Sequence, residues 1–300
     1  MAAAAVALIA AGCGLGPGPG TANVTLTVTR GFGSSEIAST SRSRVPGSET
    51  VMRMLQRSFR VGTRYGGGFV QSIDGFSGGA SKLDWFYYVN GIEATAGAAA
   101  TAVHRGDRIW WDLHDWRAAI SIPAVVGAFP EPFAHGTGGR RLPTVLECAQ
   151  DVAAACSGAS AALAKVGVLA PSQLLGTGSG SASLTVIVGT WSDLRPVVAA
   201  ALIEKGPAAS GVYARFAGRS GQRLELLDTR GTVARSLGAG AGLVAATADS
   251  SSQPVWLITG TDRAGVVAAA HALSPNRLRH HFALAVQGGT DVPAPLQGAN

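Results

Sequence analysis

The chain has 300 residues, of which 47% are hydrophobic and only 14% are charged, so it can bury a substantial core and wholesale disorder is excluded. Its net charge is +6 at pH 7, but the basic residues are scattered singly, with Arg140-Arg141 as the only adjacent pair. Without a basic stripe we expect no nucleic-acid partner; the excess charge favours solubility or weak attraction to an anionic envelope surface.

The N-terminal segment predicts export. An apolar run of roughly ten residues, Ala2–Ala11, is too short to span a bilayer but suits the central region of a signal peptide. Small residues then lead directly into Cys13, as in a bacterial lipoprotein signal. We therefore expect residues 1–20 to be a signal and spacer, with a lipid on Cys13 that anchors the protein outside the cell membrane. The alternative is ordinary secretion with a free cysteine.

The two remaining cysteines, Cys148 and Cys156, lie close together in the sequence. An even number of cysteines outside the cytoplasm predicts one disulfide, and two reduced core thiols are the alternative. Two cysteines without nearby histidine ligands predict no metal site.

Residues 22–116 carry the pattern of an α+β domain. Over Val24–Thr29 valine and leucine alternate with threonine, which is the period-two pattern of a half-buried strand. Ser48 is a candidate N-cap for an amphipathic helix over Val51–Phe59. The glycine-punctuated stretch 65–75 then suits a short strand and a turn. One helix laid on a mixed sheet is the predicted arrangement.

A distinctive aromatic strand, Trp85–Val89, is followed by Asn90-Gly91, the residue pair favoured where a type I′ hairpin turn needs positive φ. A last strand is predicted over Arg108–Leu113. The stretches Asp84–Gly91 and His104–Trp111 resemble the signature of the transcobalamin C-terminal-like domain family.

This resemblance covers about residues 22–116 and implies a β-grasp fold related to soluble ligand-binding domains. In the vitamin B12 carriers such a domain lies over one face of the corrinoid, so cobalamin becomes a candidate ligand, while no cofactor is expected. This chain has no long helical-repeat stretch like the α-barrel partner of those carriers. In bacteria the family implies a secreted or tethered envelope protein.

The composition shifts to proline, glycine and small residues over 117–142, which we interpret as a linker. Beyond it, alternating strands and helices predict a second domain, an α/β sandwich of unknown family, over 143–300. Its strands are predicted at 143–148, 184–188, 212–216, 223–227, 243–246, 255–258 and 281–286, and its helices at 153–166, from Ser192 and at 263–273.

The aromatic residues are the strongest candidates for a binding site. Trp85 and Tyr87 share one face of their strand, whereas Phe86 and Tyr88 share the other. One set must build the small core, which leaves the other to face a ligand, a partner or the second domain. The alternative is that this second set merely packs against the rest of the chain.

Other motifs give weaker signals. Asp112 and His114 project from one strand face, but without a third ligand we expect polar rim residues rather than a metal site. Gly75–Gly79 has the letters of a nucleophile elbow but lacks the required strand before it and helix after it. Asp262 precedes a helix that could bind an anion or simply receive a cap, and His280-His281 fits an exposed strand start.

The sequence thus predicts an extracytoplasmic, membrane-tethered binding protein that is not an enzyme and that captures a small molecule, such as a corrinoid, through an aromatic face. The alternative is a structural or protein-interaction module of the cell envelope, with an envelope protein as its partner. The predicted ligand-binding residues are Tyr65, Phe69, Trp85, Tyr87, Asn90, Trp110, Asp112 and Trp116.

Overall fold

The computed structural model describes residues 23–79, 82–249 and 253–297. Within these ranges the chain forms two α+β domains, each built around its own sheet, which confirms the predicted fold class. The predicted signal, spacer and lipidation site at Cys13 lie outside the described residues. None of the described helices is both long and apolar enough to cross a membrane.

The N-terminal domain is a five-stranded sheet in the order β2-β1-β8-β6-β7, with a small three-stranded sheet in the order β3-β4-β5 beside it. Strands β1 and β8 run parallel and the other neighbours in the larger sheet run antiparallel. The elements are β1 Val24–Arg30, β2 Ser35–Arg42, α1 Val51–Ser58, β3 Val61–Arg64, β4 Phe69–Ile73, β5 Phe76–Ser77, β6 Leu83–Val89, β7 Ile92–Glu93 and β8 Arg108–Asp115, with a 3₁₀ turn at Tyr65–Gly67.

Helix α1 covers one face of this sheet because its apolar residues fall on one side. Leu26 and Val28 of β1 are fully buried in the same cluster as Met54 and Leu55 of the helix. The predicted N-cap at Ser48 is wrong: Thr50 caps α1, and its hydroxyl accepts a hydrogen bond from the backbone of Arg53. Strand β2 was not predicted, because its sequence is polar on both faces.

The second domain is a seven-stranded sheet in the order β10-β9-β11-β16-β15-β17-β18, with a three-stranded sheet β12-β13-β14. Helices α2 and α6 pack on one face of the larger sheet, while α3, α4 and the smaller sheet cover the other. The elements are β9 Thr144–Cys148, α2 Ala153–Lys165, β10 Ser172–Leu174, β11 Leu184–Thr190, α3 Trp191–Leu194, α4 Val198–Glu204, α5 Pro207–Ser210, β12 Ala214–Ala217, β13 Arg223–Leu227, β14 Val233–Leu237, β15 Gly242–Thr247, β16 Val255–Gly260, α6 Arg263–His271, α7 Pro275–Leu278, β17 Ala283–Gln287 and β18 Thr290–Ala294.

The predicted helix from Ser192 differs from the observed one. Thr190 is the N-cap, in a capping box with Asp193, and the helix stops after one turn before Pro196. A second short helix, α4, then begins at Val198.

The segment 117–142, predicted as a linker, is a packed part of the fold. Ile122 and Val125 belong to the apolar cluster between the two domains, whereas Phe129 and Phe133 belong to the core of the second domain. The prolines and glycines set the turns of this segment, and its exposed positions lie mostly near its two ends, at 120–121 and 138–141.

The predicted disulfide is confirmed: Cys148 at the end of β9 is bonded to Cys156 in α2. Since the bond closes a loop with a sequence separation of 8, we expect the Cys148→Ser/Cys156→Ser variant to lose about 2–3 kcal/mol of unfolding free energy, chiefly through a less restricted unfolded chain. Urea unfolding measures this loss. An unchanged midpoint and slope would contradict a stabilising role for the bond.

Candidate functional site

Alternate side chains of the aromatic strand β6 lie on opposite faces of the sheet, as the period-two pattern predicts. Trp85 and Tyr87 lie with Trp111 of β8 on the face that α1 covers. Phe86 and Tyr88 lie on the opposite face, which is turned towards the second domain.

The second domain covers the aromatic part of this opposite face. The ring centroid of Phe282 lies 5.2 Å from that of Trp110, 5.6 Å from that of Tyr88 and 5.2 Å from that of Phe32. Tyr213 reaches the same cluster, and burial raises the pKa of its phenol. In the structure, therefore, the second aromatic set packs against the rest of the chain, which is the alternative interpretation of these residues. A flat, open aromatic platform, on which the predicted stacking depends, is not present on this face.

Asn90 was expected to donate hydrogen bonds to a ligand, but its side chain is committed to the fold. It is fully buried, its Nδ2 donates to Asp107 Oδ1 at 2.9 Å and to the Gly136 carbonyl at 2.6 Å, and its Oδ1 accepts from the Arg108 backbone at 2.8 Å. Its φ of 55° and the 76° of Gly91 form the predicted turn. Asn90 therefore positions the start of β8.

Asp112 is also fully buried and lies at the centre of a hydrogen-bond network. Its carboxylate accepts from the backbone of Phe32 at 3.0 Å and of Gly33 at 2.8 Å, from the Thr29 hydroxyl, and from His114 Nδ1 at 2.9 Å. Thr29 in turn accepts from the indole Nε1 of Trp110 at 2.7 Å. This network closes the β1–β2 turn over β8 and leaves Asp112 no contact with solvent.

The remaining predicted residues are scattered. Trp85 is only 6% exposed, in the core beneath α1. Tyr65 is 85% exposed and lies edge-on to Phe69 in the small three-stranded sheet. Tyr87 is half-buried with its hydroxyl 2.8 Å from Thr101 Oγ1, and Trp116 donates to Asp84 Oδ2 at 2.8 Å. The structure does not bring these residues together in one site.

The face that carries Trp110 continues beyond the covered rings into an open cleft of about 460 Å³ between the two domains. Its sheet wall follows the strand register, since Thr25 pairs with Ser41 and Arg108, and Thr27 pairs with Ser39 and Trp110. The opposite wall is formed by Gly127, Ala128, Pro275, Asn276, Arg279 and His280. Trp110, which is 4% exposed, is the one residue of the predicted ligand set that lines this cleft.

The wall opposite the sheet approaches Trp110 closely because Gly127 has no side chain. A Cβ on Gly127 would lie 2.8 Å from the indole ring and 2.8 Å from the His281 backbone nitrogen. Any larger residue would have to push the two walls of the cleft apart.

Arginine dominates the charge of the cleft. Arg108 donates to the Phe129 carbonyl at 3.0 Å, and no carboxylate pairs with it in the described part of the chain. Arg279 pairs with Glu36 at 3.0 Å, and the pKa of Glu36 is lowered, chiefly by a hydrogen bond from Ser39. Burial, and then the charge of Arg279, lower the pKa of His280, so this imidazole is neutral at pH 7. The cleft thus combines hydroxyls with a guanidinium that pairs with no carboxylate among the described residues.

Within the described ranges, no group of three or more histidine, cysteine, aspartate or glutamate side chains could hold a metal ion. The Asp112–His114 pair is enclosed, since the His114 ring is stacked between Phe86 at 4.4 Å and Phe32 at 4.6 Å.

Residues 48–115 match the family model of a domain of unknown function, DUF4430. This match covers less than a quarter of the chain and falls within the N-terminal domain. No protein of curated function matches. A crystal structure from Ruminococcus gnavus ATCC 29149, described as that of a "putative metal binding protein", is 18% identical over 31% of this chain and 97% of that chain, with a TM-score of 0.25. A TM-score this low supports no functional inference.

Sequence reasoning missed most of the cleft. The sequence pattern of β1 indicates only that its threonines lie on one face of a half-buried strand. Thr25 and Thr27 could still have been found, since they repeat at the spacing of one strand face and both line the cleft. No sequence signal marks Arg279 and His280 as cleft residues, because they approach β1 only through the packing of the second domain.

Proposed function

We propose that this chain is an extracytoplasmic, membrane-tethered binding protein, without enzymatic activity, that captures a small molecule in the cleft between its domains. The observation that carries this proposal is the division of one sheet face. Its aromatic half is covered, while its hydroxyl-rich half, with Arg108, stays open in a cleft of about 460 Å³. This volume lies within the range of about 300–1,000 Å³ typical of small-molecule sites.

The chemistry of the walls supports a polar ligand with an acidic or hydroxyl group. Thr25, Thr27 and Ser39 offer hydroxyls that both donate and accept hydrogen bonds, and Arg108 offers charge-assisted donors. Trp110 at the base of the cleft contributes an apolar edge. An oxidised sugar or a similar hydroxy acid has this combination of groups.

A corrinoid remains the ligand that the resemblance to the transcobalamin C-terminal-like family implies. Capture of a corrinoid would use the mouth of the cleft, since a macrocycle exceeds a drug-sized ligand. Stacking on an exposed aromatic face is no longer part of the proposal, because the second domain covers that face.

The tether is proposed from the sequence alone, through a lipid on Cys13. The disulfide supports an oxidising compartment outside the cytoplasm. The absence of enzymatic activity is likewise a proposal, and it is supported by the enclosure of the Asp112–His114 pair between phenylalanine rings, which keeps substrates away from it.

One exposed feature favours the alternative, an interaction module of the cell envelope. Tyr65 is 85% exposed at a glycine-rich turn, where an aromatic ring gains by contact with another protein.

Calorimetric titration of the chain that begins at Gly14 tests ligand capture, with cyanocobalamin, glucuronate and glucose as probes. We expect saturable binding of at least one probe, and a loss of about 10–100-fold in affinity in Arg108→Gln, because the ligand loses charge-assisted hydrogen bonds. Arg219→Gln, an equal change at an exposed arginine of the second domain, should bind as the unaltered chain does.

Equal binding by Arg108→Gln and Arg219→Gln would contradict the cleft as the binding site. A lack of response to every probe, together with an envelope-protein crosslink that Tyr65→Ala abolishes, would support the alternative.

A further inference from the structure

A second hollow, of about 260 Å³, lies at the opposite edge of the N-terminal sheet from β6 and β7 and is ringed by arginines. Arg42 ends β2, Arg44 follows it, and Arg57 reaches the hollow from the last turn of α1. We call these three residues the arginine rim.

The charge of the arginine rim is largely free. Arg42 and Arg44 are exposed and have no hydrogen-bond or ion-pair partner among the described residues. Arg57 pairs at 2.9 Å with Glu49, which also lines the hollow, so the free positive charge comes from Arg42 and Arg44. Residues 41–60 contain five arginines and one acidic residue. The fold brings three of these arginines to the hollow, whereas Arg60 pairs with Asp74 at 3.8 Å.

The arginine rim adjoins the point at which the described chain begins. Val24, the first residue of β1, pairs with Arg42 in the strand register. Asn23 lies only ten positions after the predicted lipidation site, Cys13. Ten residues reach at most about 35 Å when fully extended, so a lipid on Cys13 would hold this edge near the bilayer.

We infer that the arginine rim docks on an anionic phospholipid surface and sets the orientation of the protein on the membrane. The inference rests on the proposed tether for its location, and on charge complementarity for its partner. Guanidinium groups pair well with lipid phosphates, and each basic residue near an anionic bilayer strengthens binding about fivefold. The ligand cleft is a separate site, since it shares no lining residue with the hollow.

Vesicle co-sedimentation of the unlipidated chain that begins at Gly14 tests this inference without the tether. We expect binding to vesicles with 30 mol% phosphatidylglycerol, little binding to pure phosphatidylcholine, and loss of binding as salt rises. Arg42→Gln/Arg44→Gln should weaken binding about 25-fold, at about fivefold per arginine. Arg219→Gln/Arg235→Gln, with the same change in net charge at exposed positions of the second domain, should weaken it less than twofold.

Equal weakening in both double variants would overturn the inference, because net charge alone would then govern binding. Absence of binding to the phosphatidylglycerol vesicles would overturn it as well. Neither outcome bears on ligand capture in the cleft, and a chain whose Cys13 carries no lipid would still show the vesicle binding if the arginine rim acts as inferred.

Discussion

Asp112→Ala should lower the free energy of unfolding by about 3–5 kcal/mol, although residue 112 touches neither solvent nor the cleft. The substitution leaves the backbone N–H groups of Phe32 and Gly33 without their acceptor inside the protein, and the Thr29 hydroxyl keeps only the Trp111 carbonyl at 3.4 Å. Each buried donor that loses its partner costs about 1–3 kcal/mol. Asp112→Asn should be only slightly less destabilising, because the amide nitrogen that replaces one carboxylate oxygen is a donor and cannot accept hydrogen bonds from these donors. Chemical unfolding followed by tryptophan emission measures the loss.

Asp115→Ala is the matched control on the same strand. Asp115 pairs with Arg117, whose side chain is 55% exposed, so the expected cost is below about 1 kcal/mol. Similar losses for Asp112→Ala and Asp115→Ala would show that the buried network does not stabilise the fold.

Phe282→Ala should cost about 3–5 kcal/mol and loosen the contact between the domains. The Phe282 ring lies 5.2–5.6 Å from four aromatic rings of the N-terminal domain, those of Phe32, Tyr88, Trp110 and His114. Its removal leaves a cavity at the centre of this contact. We expect the unaltered protein to unfold in one calorimetric transition, and Phe282→Ala to separate it into two, with greater binding of a hydrophobic dye.

Phe133→Ala distinguishes contact between domains from stability within one domain. Phe133 is fully buried in the core of the second domain, against Trp256 at 5.0 Å. The same substitution there should lower the midpoint of the single transition without splitting it, because the contact between the domains stays intact. If both variants split the transition alike, the Phe282 cluster has no special role in coupling the domains.

Apart from the polar edge strand β2, the main strands of the N-terminal sheet could be predicted because they obey simple periodicity. Hydrophobic residues at every second position of β1 and β8 fixed which side chains face α1, and the Asn90-Gly91 pair fixed the turn after β6. The disulfide followed from cysteine parity. In each case the signal is local, within a few residues of the structure it specifies.

The cleft and the covered aromatic face could not be predicted, because both depend on contacts between residues far apart in the chain. Tyr88 alternates as an outward-facing residue should, and nothing near it in sequence reveals that Phe282 covers it. The burial of Phe129 and Phe133 could not be predicted either, because the local composition is dominated by proline and glycine and therefore indicates a linker rather than a core.

The buried segment 117–142 makes each half of the chain depend on the other. Val125 and Phe282 pack in the same apolar cluster as Tyr88 and Trp110. An N-terminal sheet cut off after Trp116 would therefore expose an apolar face to water. The region that matches the family model, residues 48–115, is therefore part of a larger packed unit in this chain.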